Sequence, residues 1–488
     1  MNNTTSTSSI DTLPTLPLHS SNELHLAERS IKSLVKGSAF FPPQAADKDW
    51  FKSSSTSSIV SSSSSSSPIP SATTLNEDDI RIGKLIGRGG FCEVRLGYVN
   101  DDRSSCNNKS NQQQYAIKFL SPKIEKKKGK KAFSRGAADL AIEARFLSLL
   151  RHDNIIHLHY VSAGSFEENY NCLDTQHSLN SNLHHLGYFI VLDYLHETLN
   201  NRIKERYIPD FEMITGKSPT KHECSTCIGS QHYSIGTQQR RWLDNLPQWL
   251  HLQATSTKSN GNVIQAMRSL LVKRLDVISS VASAIKYLHE QHVIFRDIKP
   301  DNIGFYYTST GEEIPKLFDF GLVKELKKKN RVTGYGENAL YKLTGKTGSR
   351  RYMSPEVAFC HAYNSKADIY SLGILLYEVA SLIGTVFEGY TYHSHEFEIL
   401  RRGCRPCLNL KEYNYWPKDL AYLIDDCWRG ELRDRPNINE VLDRLDRCME
   451  ELTTPVQKKD LHQKVCPRSI ITSISSLQLR KNINAPQA

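Results

Sequence analysis

Long apolar runs are missing from this 488-residue sequence. The best candidate span, Ile369 to Ile383, is too short and carries Glu378, so membrane insertion is not expected. The opening residues, Met1-Asn2-Asn3-Thr4-Thr5, offer neither a basic n-region nor an apolar h-region, so no secretory signal is expected. No fixed-period repeat runs through the chain, which argues against a solenoid or propeller. Cysteine is scarce, scattered and odd in number, with 11 residues. That excludes a disulfide framework, reads as reduced thiols, and points to a cytoplasmic or nuclear protein. Charge of one sign is not dominant: Lys and Arg total 62 against 52 acids, a net +10. The excess lies mostly in local Lys runs, and no nucleic-acid partner is expected. Hydrophobic residues reach 39%, enough for a sizeable core.

What is abundant is serine at one end. Residues 1–75 are rich in Ser, Thr and Pro, with an unbroken Ser run from Ser61 to Ser67. Such a composition does not offset the entropy of ordering, so this tail is expected to be disordered. One island, Leu24 to Val35, has the spacing of a short amphipathic helix or docking peptide, and no function is assigned to it. Order is expected over residues 80–452. Ile82–Ile86 and Glu93–Tyr98 read as strands joined by a Gly-rich turn, and Tyr115–Leu120, Ile155–Val161 and Leu186–Leu192 read as three more. Ala137–Leu150 has helical periodicity. The pattern is a five-stranded antiparallel sheet with one helix, followed by a larger, mainly helical part. Polar insertions fall at about 100–114, 165–185 and 207–262. The end, 453–488, is basic and loose.

The chemistry gathers at Val293-Ile294-Phe295-Arg296-Asp297-Ile298-Lys299-Pro300-Asp301-Asn302. An acid, a cation two residues on and an amide five residues on sit after an apolar strand end, with Pro300 blocking a helix. A base beside a cation and a metal-binding oxygen suits transfer of an anionic group. A second acid, Asp319, follows in Leu317-Phe318-Asp319-Phe320-Gly321. Upstream, Ile86-Gly87-Arg88-Gly89-Gly90-Phe91-Cys92-Glu93-Val94 sits between two strands, where glycines let backbone amides approach phosphate oxygens. A Rossmann loop would instead open a helix.

Taken together and in this order, these stretches resemble the protein kinase family: a Gly-rich loop, Ala116-Ile117-Lys118 on the third strand, an R-D-x-K-x-x-x-N pattern and Asp-Phe-Gly. The resemblance spans roughly Ile80 to Cys448. It implies an α+β, bilobal fold with a small sheet-plus-helix lobe and a large helical lobe. It further implies an ATP- and Mg²⁺-dependent enzyme that phosphorylates protein substrates. Asp297 would accept the substrate hydroxyl proton, Lys299 would neutralise charge on the transferred group, and Asn302 and Asp319 would hold Mg²⁺. Lys118 would align phosphates, held by Glu143, with Glu125 as the alternative. The nucleotide site would comprise Ile86, Gly87, Arg88, Gly89, Gly90, Phe91, Cys92, Val94, Ala116, Lys118 and Glu143, with Asp193 and Leu195 at the inter-lobe connection.

Further matches refine this. Thr347-Gly348-Ser349-Arg350-Arg351-Tyr352-Met353-Ser354-Pro355-Glu356 resembles the end of an activation segment. Glu356 would pair with Arg435, and Asp368 would hold the catalytic loop. Lys299 and Ser349 point to Ser/Thr substrates, while Cys427-Trp428 resembles the tyrosine-kinase-like branch. Arg296 is placed to pair with a phosphorylated activation segment. Of Thr333, Tyr335, Tyr341, Thr344 and Thr347, the threonines 344 and 347 are the best candidates for modification by an upstream activating kinase.

The sequence departs from the family at Phe295 (usually His), at Cys92 (usually Gly) and at Gly304, where an apolar residue usually lies under the adenine. The loss at Gly304 is expected to lower nucleotide affinity. The rival readings are a pseudokinase scaffold and a dual-specificity kinase. The presence of Lys118, Asp297, Asn302 and Asp319 argues against a scaffold. In the third insertion, His222, Cys224, Cys227 and His232 carry metal-ligand residue types. They are packed too closely for an ordinary zinc loop and read as reduced thiols and loop histidines.

Overall fold

Tyr115–Leu120 (β4) alternates, and its two faces go to different places. Tyr115, Ile117 and Phe119 join Ile80, Phe189 and Val191 in an outer apolar cluster. Ala116 and Leu120 join the main core. A strand sends every second side chain to the same face, so Lys118 points with Ala116 and Leu120 toward the interior of the molecule. The computed structural model describes residues 21–46, 73–100, 113–121, 123–164, 168–171, 186–219, 259–406, 408 and 414–454.

Before β4 come α1 (Ser21–Val35), β1 (Thr73–Leu75), β2 (Ile80–Arg88) and β3 (Cys92–Val99). After it come α2 (Ile124–Lys128), α3 (Lys130–Leu149), β5 (Leu158–Ser162) and β6 (Phe189–Asp193). The sheet has six strands in the order β1-β5-β6-β4-β3-β2, not the expected five. The extra strand, β1, runs parallel to β5 at the edge, with Thr73 opposite Tyr160. Every other pairing in the sheet is antiparallel. Three residues ending a Ser-rich tract carry almost no strand signal; pairing with β5 makes them a strand. The expected helix from Ala137 begins earlier, at Lys130.

The tail also differs from expectation. Residues 21–46 are ordered, with Leu24, Ala27, Ile31, Leu34, Val35 and Phe41 buried. Of the insertions, residues 101–112, 165–167, 172–185 and 220–258 lie outside the described residues, as do residues 455–488. The Cys224 and Cys227 group, with His222 and His232, is among them.

The second lobe is helical. α4 (Ser259–Glu290) buries Leu271, Leu275, Ile278, Ala282, Ile285 and Leu288 along one stripe. It leads to β7 (Val293–Ile294), the hairpin β8 (Ile303–Tyr307) and β9 (Glu313–Leu317), and β10 (Lys324–Glu325). α5 (Lys366–Ser381) is buried on every side from Ala367 onward, as expected of a helix with no polar face. Arg274 of α4 donates to the carbonyls of Val379 and Ala380, a cation at the C-terminal end of α5. α6 (Lys418–Cys427) and α7 (Ile438–Thr453) complete the lobe. Among the described residues no helix is long and apolar enough to cross a membrane.

Candidate active site

Two polar clusters meet between the lobes. In the first, Lys118 of β4 donates to both carboxylate oxygens of Glu143 on α3, at 2.7 and 3.0 Å. Glu143 also accepts the amide of Phe320 at 3.2 Å. The side chain of Glu125, the alternative partner, lies outside the described residues. Lys118 reaches Asp319 as well, at 3.0 Å. Burial disfavours the Lys118 ammonium, but the Asp319 and Glu143 carboxylates outweigh it and hold its pKa above the ordinary lysine value. The Lys118 charge is also the main cause that keeps the Asp319 carboxyl below its usual range.

The second cluster is built on Asp297. One carboxylate oxygen accepts the Ser349 amide at 2.6 Å; the other accepts Lys299 Nζ at 2.7 Å and Asn302 Nδ2 at 2.8 Å. Lys299 also donates to the Ser349 hydroxyl at 2.8 Å. Pro300 does not simply stop a helix: it opens a short 3₁₀ turn, Pro300–Asn302, where its fixed φ suits the first position. Behind the loop, Asp368 accepts the amides of Phe295 at 2.9 Å and Arg296 at 2.8 Å, and lies 2.9 Å from His289 Nε2. The sequence reading missed His289, which is indistinguishable there from an ordinary helix-end histidine. Phe295 packs edge-on against Phe320, 5.2 Å between ring centres.

Ile303 pairs with Leu317 across the β8–β9 hairpin, and Phe318 N bonds to Asn302 O at 3.0 Å. That register sets Asn302 beside the residue preceding Asp319. His292, Arg296 and Asp319 all hold left-handed backbones, with φ of 55°, 71° and 67°. Strain of this kind in non-glycine residues collects at functional sites. A Cβ on Gly348, at φ 96°, would fall on the Arg296 carbonyl.

The donor set fits magnesium. Asn302 spends its amide nitrogen on Asp297, leaving its oxygen, and Asp319 adds a carboxylate. These are hard oxygen ligands, and Mg²⁺ commonly takes only one or two carboxylates beside substrate phosphates. Among the described residues no group of three or more His, Cys, Asp or Glu is placed to hold a metal by itself.

A family model for protein tyrosine and serine/threonine kinases matches residues 80–445. The chain belongs to the protein kinase family. It is 34% identical over 179 residues to the serine/threonine-protein kinase VIK of Arabidopsis thaliana, covering 35% of this chain and 37% of the relative. With serine/threonine-protein kinase STY17 of the same plant it shares 29% over 197 residues, 40% of this chain and 30% of the relative. With dual specificity protein kinase shkE of Dictyostelium discoideum it shares 30% over 182 residues, 37% and 23%. The matched stretch thus spans only 23% to 37% of the length of these relatives.

Not every nucleotide-site candidate turns toward the kinase cleft. The Asp193 carboxylate is taken up by His157 N, His159 and Lys316, at 2.8 to 2.9 Å. Burial would raise its pKa, but the bond from His159 and the charge of Lys316 bring it below the usual range. The Asp193 amide also donates to His157 O at 3.1 Å, so both side chain and amide are taken up within the protein. Cys92 is buried in the core, and desolvation pushes its thiol up to about 12. Its side chain therefore does not stand in for a phosphate-facing glycine. Gly90 O accepts Lys128 Nζ at 2.6 Å, and a Cβ on Gly136 of α3 would meet Phe91 at 2.8 Å, so the glycine loop rests on α2 and α3. At Gly304 a Cβ would stand 2.6 Å from Leu195. Leu195 thus occupies the space that a side chain at position 304 would take. Ile86 is exposed, Val94 half-buried and Ala116 buried. Arg88 and Gly89 are exposed along the loop, and Gly87 lies against Val94.

The C-terminal end of the activation segment is anchored twice. Glu356 receives both terminal nitrogens of Arg435, at 2.7 and 2.9 Å. Tyr352 donates to Glu378 on α5 at 2.5 Å. Burial raises Glu378 to about 7. Between its ordinary carboxyl pKa and that value the folded protein holds a proton that the unfolded chain has released. Stability therefore falls as pH rises from about 4.5 to about 7, by on the order of 3 kcal/mol. Glu378→Gln is expected to flatten urea unfolding across that window. An unchanged slope would show that Glu378 does not titrate there.

Proposed function

We propose that the chain transfers the γ-phosphoryl group of ATP to Ser or Thr hydroxyls of protein substrates. The observation that carries this is Asp297, whose carboxylate is aimed by Ser349 N, Lys299 and Asn302. As a substrate hydroxyl oxygen bonds to the γ-phosphorus, the bond from that phosphorus to the β-phosphate oxygen breaks and ADP leaves with the negative charge, while the hydroxyl proton passes to Asp297. Lys299, only 2.7 Å away, offsets the charge that builds beside it. Lys118, kept protonated by its carboxylate neighbours, orients phosphate oxygens. Mg²⁺, held by Asn302 and Asp319, would supply neutralisation of the phosphate charge. Lys299 bridging Asp297 and Ser349 supports the Ser/Thr class, as does likeness to the serine/threonine-protein kinases VIK and STY17. Dual specificity remains the second reading, supported by shkE.

The test is transfer from labelled ATP in the full chain with Mg²⁺, followed by phosphoamino-acid analysis. A wild-type chain that is inert under several buffers would favour a scaffold. Label on tyrosine as well as serine and threonine would favour dual specificity. We place the protein in the cytoplasm or nucleus; the five described cysteines are all free thiols, which supports a reducing compartment.

Activation by an upstream kinase fits Thr344. Its hydroxyl lies 2.8 Å from an Arg296 terminal nitrogen, and Arg296 is fixed by Leu322 O at 2.7 Å. A phosphate on Thr344 would meet a guanidinium already in place. Thr347 instead donates to Gly345 O at 3.1 Å. Thr344→Val is expected to lower the activity of the phosphorylated enzyme by about tenfold or more, and Thr347→Val by less. Phosphopeptide mapping of active enzyme that finds Thr344 unmodified removes this reading.

A further inference from the structure

Residues 21–46 lie outside the stretch matched by the kinase family model, residues 80–445. They nevertheless touch α3, which carries Glu143, and the strand that begins the activation segment. We propose that this segment is a positioning brace for phosphoryl transfer, holding α3 against the start of the activation segment so that Glu143 stays on Lys118. The proposal rests on the kinase reading above.

Leu24, Ala27, Ile31, Leu34 and Val35 recur at helical spacing, and the buried stripe they form packs α1 on α3. Beyond α1 the chain turns at Gly37, with φ 66°. Phe40 stacks on Phe146 of α3, 5.4 Å between ring centres, and Phe41 meets the same ring edge-on at 4.7 Å. Phe146 is one helical turn from Glu143. Arg145, also on α3, donates to Ala45 O at 2.8 Å.

The other half of the brace is polar. The carboxylate of Glu325, 2% exposed, accepts Ser38 Oγ at 2.6 Å, Ala39 N at 2.6 Å and Phe40 N at 3.2 Å. Lys327 Nζ donates to the carbonyls of Leu34 and Lys36 at the end of α1. Glu325 pairs with Val293, so β10 lies alongside the strand that enters the Asp297 loop. One short segment therefore grips the helix that carries Glu143 and the strand six residues beyond Asp319. Neither Glu325 nor Ser38 belongs to the site itself.

The test uses the full chain and three variants. Ile31→Arg puts a charge into the α1–α3 contact. Ser38→Asp sets a second carboxylate against Glu325. Adding Glu325→Gln to that variant removes the repulsion. Measured are kcat, KM for ATP, thermal unfolding and hydrogen exchange of the α3 amides. We expect Ile31→Arg and Ser38→Asp to lower kcat/KM about tenfold or more, with faster exchange over residues 130–149. Glu325→Gln should recover a substantial part of the loss caused by Ser38→Asp. If Ile31→Arg does not fold, Ser38→Asp and its second-site recovery decide the matter. Wild-type kcat and KM in variants whose residues 21–46 exchange freely would overturn the brace and leave the kinase reading intact. An inert wild-type chain would overturn the kinase reading instead.

Discussion

Asp297→Asn is expected to lower kcat by about 10³-fold or more, with little change in KM for ATP. The substitution keeps size and shape. An Asn oxygen can still accept the Ser349 amide, which now lies 2.6 Å from Asp297. What disappears is the negative charge that receives a proton. Lys299 loses its carboxylate partner but keeps the Ser349 hydroxyl at 2.8 Å, so the loop should not collapse. Lys118, Glu143 and Asp319 form a separate cluster, and ATP should bind as before. Equal falls in kcat and kcat/KM are the sign of a group that acts in the transition state alone. Lys118→Met should behave differently. Lys118 holds both Glu143 and Asp319, so its loss should raise KM for ATP as well as lower kcat. A chain with Asp297→Asn that keeps a tenth of wild-type activity would take Asp297 out of the reaction.

What could be read in advance was short-range. Asp297, Lys299 and Asn302 lie within six positions, and a loop that short allows few arrangements. Lys118 was placed on the third strand, and its role came from the resemblance to the kinase family. The choice of Glu143 over Glu125 rested on the resemblance of the passage from α3 toward Ile155 to the family's helix-to-strand spacing, and on Glu125 lying in the Lys-rich connector. What escaped depends on partners distant in sequence. β1 exists because β5 offers an edge. The helical spacing of Leu24, Ala27, Ile31 and Leu34 was visible, but nothing in it named α3, some hundred residues on, as the surface it covers. Asp193 sits at the inter-lobe connection as expected, yet His159 and Lys316 turn its carboxylate aside. Gly304 looked like a missing side chain, and Leu195 replaces it from another segment. In each case the local pattern limits what a residue can do, and packing selects among those options.

The largest effect on stability is expected where the activation segment is anchored. The Arg435 side chain is fully buried and forks onto both oxygens of Glu356. It also donates to the carbonyls of Arg429, Gly430 and Lys366. Glu356→Leu leaves that guanidinium buried without its counter-charge, and Arg435→Met leaves a carboxylate in the same state. Each single change should destabilise the fold by about 3–5 kcal/mol, because an uncompensated buried charge is penalised far more than a pair is favoured. The double variant removes both charges and should lie well short of the sum, with the remaining loss coming from the three orphaned carbonyls. Equilibrium urea unfolding of the wild type, both singles and the double measures this coupling. Glu356 is seven residues from Ser349, which orders Asp297, so the singles should also lose activity per folded molecule while the double regains part of it. Losses that simply add would mean that Glu356 and Arg435 stabilise the fold independently, and the anchor for the segment beside Asp297 would have to be sought in Tyr352 and Glu378.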